Sequence, residues 1–446
     1  MSENKKFLQD SFITLVRQVT SIIIGLLLVV ILARTLGPEL QGFYTTITLF
    51  ALILNMIFNF GINISTVYYV SKKEIQIEQA FYNNLLVGIV LGVFGIVGGG
   101  GYLLLFGSST FPDIPLPLLY MILLTVPFII INSFFQTIFQ GIQNFKIFNT
   151  VLIVTQFSNL FMVVVLVVFL NLSITGALLA FFLGHFLTTL YILYVLFFKY
   201  KIKITRKSSV DRVYLKKSFT YGFKSYLSNL FTFLNYRLDI ILVGFFVNPF
   251  AVGIYATAVN VSEKLSVFTQ SISTVLLPKI SSLGEEVDRN KLTSIVSRFM
   301  LFFMILLGVA LFVLSDWVIQ LMFSDRYLGS SLLLKIMLPG IALLAVEKIL
   351  SNDIAARGRP EINMYVSIAN VIFSVTLNLI LIPKYGAVGA AVTTSITYGL
   401  SFFVKCVLFS KITGMAIPSF LLIHKKDLTL LVNLLKKYTR TRLRGR

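Results

Sequence analysis

Charge is scarce in this chain: Asp, Glu, Lys and Arg make up 13% of its 446 residues, against 57% hydrophobic. A soluble surface needs about a quarter of the residues charged, so the composition excludes a water-soluble fold and implies an integral membrane protein. The single cysteine, Cys406, excludes an internal disulfide and a cysteine zinc cluster, and His185 and His424 are too few for a histidine metal site. No metal or cofactor is expected. Nor does G-x-x-x-x-G-K-[ST] occur, so the chain has no P-loop with which to hydrolyse ATP. H-E-x-x-H, G-x-S-x-G and a D-x-D pair are absent too, and the longest outer segment, FGSSTFPDIPLP, is too short for a catalytic domain. These absences weigh against an enzyme.

What the chain does have is long apolar runs. Six fall in the first half, at Phe12–Ala33, Tyr44–Tyr69, Ala80–Phe106, Leu116–Gln140, Phe148–Leu170 and Thr175–Phe198. Six more follow, at Phe219–Val247, Ala251–Leu277, Leu292–Leu314, Ser331–Leu350, Ile362–Ile382 and Ala387–Phe409. Each is close to the ~20 residues that cross a bilayer as a helix. The expected fold is therefore an all-α integral membrane protein with about 12 transmembrane helices. Its organisation reads as an N-terminal six-helix bundle (1–198), a basic cytoplasmic linker (199–217), a C-terminal six-helix bundle (218–410) and a basic cytoplasmic tail (411–446).

The net charge of +20 is spread over short loops, the pattern of cytoplasmic loops rather than of a nucleic-acid surface. A cytoplasmic N-terminus puts Lys72, Lys73, Lys146, the linker, Lys279, Arg289, Lys291, Arg357, Arg359 and the tail inside, with Arg34, Arg326 and Lys384 outside. Both termini are then cytoplasmic in a multi-pass protein of the cell membrane. The basic tail suits a helix lying on anionic lipid.

The halves repeat. Pro38, Gly42 and Tyr44 of LGPELQGFY match Pro249, Gly253 and Tyr255 of VNPFAVGIY at a constant shift of 211 (249 − 38), and Gly176 of SITGALLA matches Gly389 of YGAVGAAV at 213 (389 − 176). Six spans per half insert both copies the same way, giving parallel repeats about an axis along the membrane normal, as in transporters. Gly88, Gly92, Gly95 and Gly98–Gly101 read as close helix packing, and Pro127, Pro278 and Pro339 as bends.

Within the run Phe219–Val247 lie Arg237 and Asp239, at a depth where an ionisable group costs about 2.5–3.5 kcal/mol on insertion scales. Two residues apart is about 200° on a helix, so they face different surroundings. Glu263 is the expected carboxylate near Arg237, and Asp239 and Glu263 are candidates for a charge pair or for a coupling proton or sodium ion.

Four segments then resemble one family. ARTLGPELQGFY (33–44), FQGIQNFKIFN (139–149), LNYRLDIILVGFF with VGIYATAVNVSEKL (234–265) and RGRPEINMYVSIANVIFSVTLNLILIPKYGAVGAAVTTSITYG (357–399) are similar to recurring stretches of the polysaccharide and O-antigen flippases. These belong to the multidrug/oligosaccharidyl-lipid/polysaccharide exporter superfamily. The resemblance implies two MATE-like six-helix bundles that alternate access and move an undecaprenyl-pyrophosphate-linked oligosaccharide to the outer leaflet. It implies a cationic cavity, for which Arg17, Arg237, Lys264 and Lys335 are the candidates, and partners among membrane lipids, a polysaccharide polymerase and other glycan-assembly proteins. Multidrug and peptidoglycan-precursor transporters of the same superfamily are the nearest alternatives. A scaffold for glycan-assembly enzymes is the alternative outside transport.

Overall fold

The computed structural model describes residues 3–202, 212–283 and 285–424, with side chains from Thr20 onward apart from a few between residues 203 and 284. The described residues are predominantly helical and form no strand. In order they build α1 (Glu3–Phe58), α2 (Ile62–Ser71), α3 (Ile77–Thr110), α4 (Leu116–Leu123), α5 (Val126–Gly141), α6 (Phe145–Val163) and α7 (Ser173–Tyr194). The second half builds α8 (Arg212–Phe246), α9 (Pro249–Ser282), α10 (Glu286–Phe323), α11 (Gly329–Ala356), α12 (Pro360–Thr413) and the short α13 (Ile417–Leu421). Among the described residues, eight helices are long and apolar enough to cross a membrane. The chain is a multi-pass, all-α membrane protein. The lipid-surface helix expected in the tail falls almost wholly outside the described residues.

Two helices, α1 and α12, are more than twice as long as the hydrocarbon core of a bilayer is thick. The 54 residues of α12 would run about 80 Å if straight, against a hydrocarbon core of ~30 Å. Each of the two longest helices accordingly breaks at a glycine: α1 at Gly37 (φ 76°), beside Pro38, and α12 at Gly386 (φ 58°). Positive φ is open to glycine without a Cβ clash.

Two runs expected as single spans are also interrupted. The run Tyr44–Tyr69 stops at Phe58 and resumes at Ile62, through Phe60 (φ 49°) and Gly61 (φ 74°). There α2 and α8 meet backbone to backbone, since a Cβ at Gly61 would overlap the Gly222 carbonyl. The run Leu116–Gln140 breaks between Leu123 and Val126, and Pro127 opens α5, where a missing N–H loses nothing. Hydropathy averages across such breaks, so neither was visible in the apolar pattern.

Four of the α3 glycines pack closely as expected, whereas Gly101 has nothing within 4 Å of its Cβ position. Gly88, Gly92, Gly95 and Gly99 share one buried face, where a Cβ at Gly92 would sit 2.8 Å from Pro127 Cα of α5. The opposite face shows Phe94, Val97, Leu104 and Leu105 outward, a lipid-facing surface.

The chain forms two compact units. One holds the residues up to Thr257 with Ile319–Gly329 and Ile382–Ala387; the other holds Ala258–Val318, Ser330–Leu381 and the residues from Val388. In the first unit the duplicated motifs clasp each other. A Cβ at Gly42 would overlap the carbonyl of Pro249, and a Cβ at Gly253 the carbonyl of Pro38. The pairs 42–249 and 253–38 exchange under the shift of 211, which is the reciprocity of a two-fold contact. Under the second shift, 213, Ser173 takes the place of Gly386 (386 − 213), and its φ of 50° matches the 58° of Gly386. Around the clasp, Arg34 donates to the carbonyls of Leu321 and Met322, and Tyr327 to that of Ala33.

Candidate functional site

Asp239 is held from two sides. The Tyr255 hydroxyl, fully buried on α9, donates to Asp239 Oδ2 at 2.5 Å, and the Ile240 backbone N–H donates to Oδ1 at 2.8 Å. Hydrogen bonds to a charged group are about twice as strong as neutral ones, so this carboxylate is fixed in place. Arg237 projects about 200° around α8 from it and is partly buried. The two residues diverge, as their spacing requires.

The duplication sets these charges apart. Subtracting 211 places Arg237 opposite Leu26, Asp239 opposite Leu28, Glu263 opposite Leu52 and Lys264 opposite Ile53. At four equivalent positions the first copy is apolar and the second charged. The first copy of the fold keeps leucine or isoleucine at each of them. Tyr255, by contrast, has a tyrosine, Tyr44, as its equivalent under the shift of 211 (255 − 211).

Arg237 and Asp239 belong to the first unit, Glu263 and Lys264 to the second. Both of the latter are partly buried on α9, and the Glu263 carboxylate acts electrostatically on Lys348 of α11 together with Glu347. Lys335 is engaged at the start of α11: its Nζ donates to Asp316 at 2.8 Å, and that carboxylate is 63% exposed. An exposed pair of this kind contributes little, so the geometry makes Lys335 part of a surface ion pair. Arg17 lies outside the residues whose side chains are described.

The second unit holds charges that the sequence reading passed over. Lys405 of α12 is almost wholly buried; it donates to Asn363 Oδ1 and lies 3.9 Å from Glu347. Ser351 donates to Glu347 at 2.8 Å, and Asn363 donates to the Ser351 carbonyl at 2.8 Å, closing a buried polar ring between α11 and α12. Nearer the end of α11, the fully buried Asp353 accepts from Thr293 and pairs with Arg357, which also meets Glu286 at 3.1 Å and Asn290 at 2.6 Å on α10. Glu347, Lys348 and Lys405 all lie inside apolar runs, so the depth rule that singled out Arg237 marks them equally. Among the described residues no cluster of His, Cys, Asp or Glu could hold a metal ion.

A helical, multi-pass fold with two clasped repeats and charges in the second copy defines the class as an internally duplicated, all-α membrane protein. The chain belongs to the family described as "Polysaccharide biosynthesis protein", whose profile matches residues 7–284. It is 26% identical over 186 residues to the Haloferax volcanii protein named "Probable low-salt glycan biosynthesis flippase Agl15", covering 41% of this chain and 39% of that one. The chain thus spans well under half the length of that relative. A Shigella flexneri protein assigned by name as an O-antigen transporter is 24% identical over 381 residues, covering 82% of this chain and 88% of that one. Among solved structures, the lipid II flippase MurJ in an inward closed conformation superposes with a TM-score of 0.74 at 19% identity, covering 95% of this chain and 92% of that one. At that identity the likeness establishes the fold.

Proposed function

We propose that this protein is a flippase that carries lipid-linked oligosaccharide units, the repeats of an O-antigen, capsule or exopolysaccharide on undecaprenyl pyrophosphate, from the cytoplasmic to the outer leaflet of the cell membrane. In this reading twelve spans form two parallel six-helix bundles, 1–198 and 218–410, with both termini cytoplasmic, and access alternates between them. Membrane lipids surround it, and a polymerase and other glycan-assembly proteins consume its product. The names of the two relatives point to glycan transport.

The observation that carries the proposal is the asymmetry of the repeat: Arg237, Asp239, Glu263 and Lys264 stand where the first copy has Leu26, Leu28, Leu52 and Ile53. Charge inside a membrane is retained for transport pathways and couplings. Arg237, with Arg17, in the first unit and Lys264 in the second are each candidates for the pyrophosphate, whose charge needs basic partners. Asp239 and Glu263 are the carboxylates for a coupling ion or an internal charge pair.

The test is leaflet accessibility in cells. Depleting the protein in its host should leave lipid-linked oligosaccharide accumulating where membrane-impermeant periodate cannot oxidise it. Accumulation that stays periodate-accessible, or a drug-export defect with no glycan defect, would point instead to the alternatives within the superfamily.

A further inference from the structure

Apart from Asp239 and the buried charges of the second unit, one cavity in the first unit has no assigned role. It opens between α2, α5 and α8 and has a volume of about 400 Å³, within the ~300–1,000 Å³ of small-molecule sites. One wall is aromatic: Tyr68 and Tyr221 stack with centroids 4.3 Å apart and planes 23° apart. Tyr69 stands edge-on to both, at 5.1 and 5.9 Å. The Gly61–Gly222 crossing brings α2 and α8 together one residue from Tyr221, so the platform is fixed by the backbone.

The rest of the lining is neutral, with Asn63, Ser71, Thr137 and Gln140 polar and Ile64 and Val67 apolar. The Gln140 amide and the Asn63 amide nitrogen line the cavity with no hydrogen-bond partner among the described residues, and Asn63 Oδ1 takes only the Ile64 N–H. At the rim, Lys72 Nζ donates to the Tyr68 hydroxyl at 2.5 Å and lies 4.4 Å from the ring centroid. No carboxylate lines the cavity, and Lys72 repels cations, so an organic cation does not fit. Ile64 and Val67 are too little apolar surface for a lipid tail. A sugar ring presents the complement: a face of C–H groups for the electron-rich face of a tyrosine, and a rim of hydroxyls for amides that both donate and accept. The basic loops assign this end of α2 and α5 to the cytoplasm, where a glycan awaiting export is built.

We propose that this cavity is a saccharide subsite, which takes a sugar ring of the exported glycan against the Tyr221 ring that Tyr68 backs, its hydroxyls on Gln140 and Asn63 and the adjoining phosphate toward Lys72. The assignment of the sugar to a lipid-linked glycan rests on the flippase reading.

Saturation-transfer NMR on the full-length protein in nanodiscs tests it directly, with chitotriose, maltotriose and lactose as probes. Transfer to ring C–H protons of at least one sugar is expected, about tenfold weaker binding in Tyr221→Leu, and near-normal binding in Tyr221→Phe, which keeps the face. Gln140→Ala should weaken it too. No transfer to any of the three, or transfer unchanged in Tyr221→Leu, overturns the subsite. Flipping of lipid-linked oligosaccharide by the same preparations separates the two readings. Wild-type protein that flips without binding sugar loses the subsite and keeps the flippase assignment. Protein that binds sugar through Tyr221 and flips nothing overturns the flippase reading and, with it, the link of this sugar to a lipid carrier.

Discussion

Leu28 and Asp239 occupy the same place in two copies of one fold, which separates function from stability at a single position. Asp239→Leu should leave the backbone intact but strand the Tyr255 hydroxyl, which is fully buried. An unsatisfied buried donor costs about 1–3 kcal/mol. Thermal unfolding in detergent should therefore show that loss in Asp239→Leu and recover most of it in Asp239→Leu with Tyr255→Phe. Transport should be absent from both. Recovered transport in the double variant would make Asp239 a mere partner of Tyr255. Arg357 gives the opposite expectation, because its partner Asp353 is fully buried. Arg357→Ala leaves that charge unpaired, with an expected loss of about 3–5 kcal/mol and low protein levels. Arg357→Ala together with Asp353→Asn should be the more stable of the two. Arg237 and Asp239 could be read from the sequence because charge in an apolar run is conspicuous. Their surroundings could not: Tyr255 faces Asp239 only after α8 and α9 fold back at Asn248, and the Lys405–Glu347 and Asp353–Thr293 pairs join residues about 60 apart.

At the scale of helices, close approach is set by glycines whose neighbours are backbone atoms. Gly42 meets the Pro249 carbonyl and Gly253 that of Pro38, neither of which can move without the helix behind it. Gly101, on α3, has nothing within 4 Å of its Cβ position. Gly42→Ala and Gly253→Ala should each remove most transport activity, and Gly101→Ala should leave it unchanged, compared at equal protein level in the membrane. Equal activity in all three would mean that the clasp has no part in the transport cycle. The clasp was half legible, since the shift of 211 announced the repeat but not that its two copies touch. The interruptions at Gly61 and near Leu124 were hidden, because apolar residues on both sides carry the hydropathy across.

For the whole molecule, the all-α membrane architecture followed from composition and run length, and the family followed from four segments spread over the chain. As proposed, the protein moves a charged glycolipid across the bilayer without ATP. A pyrophosphate carries roughly two negative charges, and each is worth about 2.3 kcal/mol per 100 mV, so outward movement is downhill when the cytoplasmic side is negative. A co-moving proton or sodium ion at Asp239 or Glu263 would reduce the charge moved and add a dependence on that ion's gradient. The most direct measurement reconstitutes the protein in liposomes with labelled lipid-linked oligosaccharide and imposes a potassium–valinomycin potential of either sign. Flipping above protein-free vesicles, without ATP and altered by the potential or by an ion gradient, is the predicted result. Flipping no faster than in protein-free vesicles, or flipping that requires ATP, would contradict it.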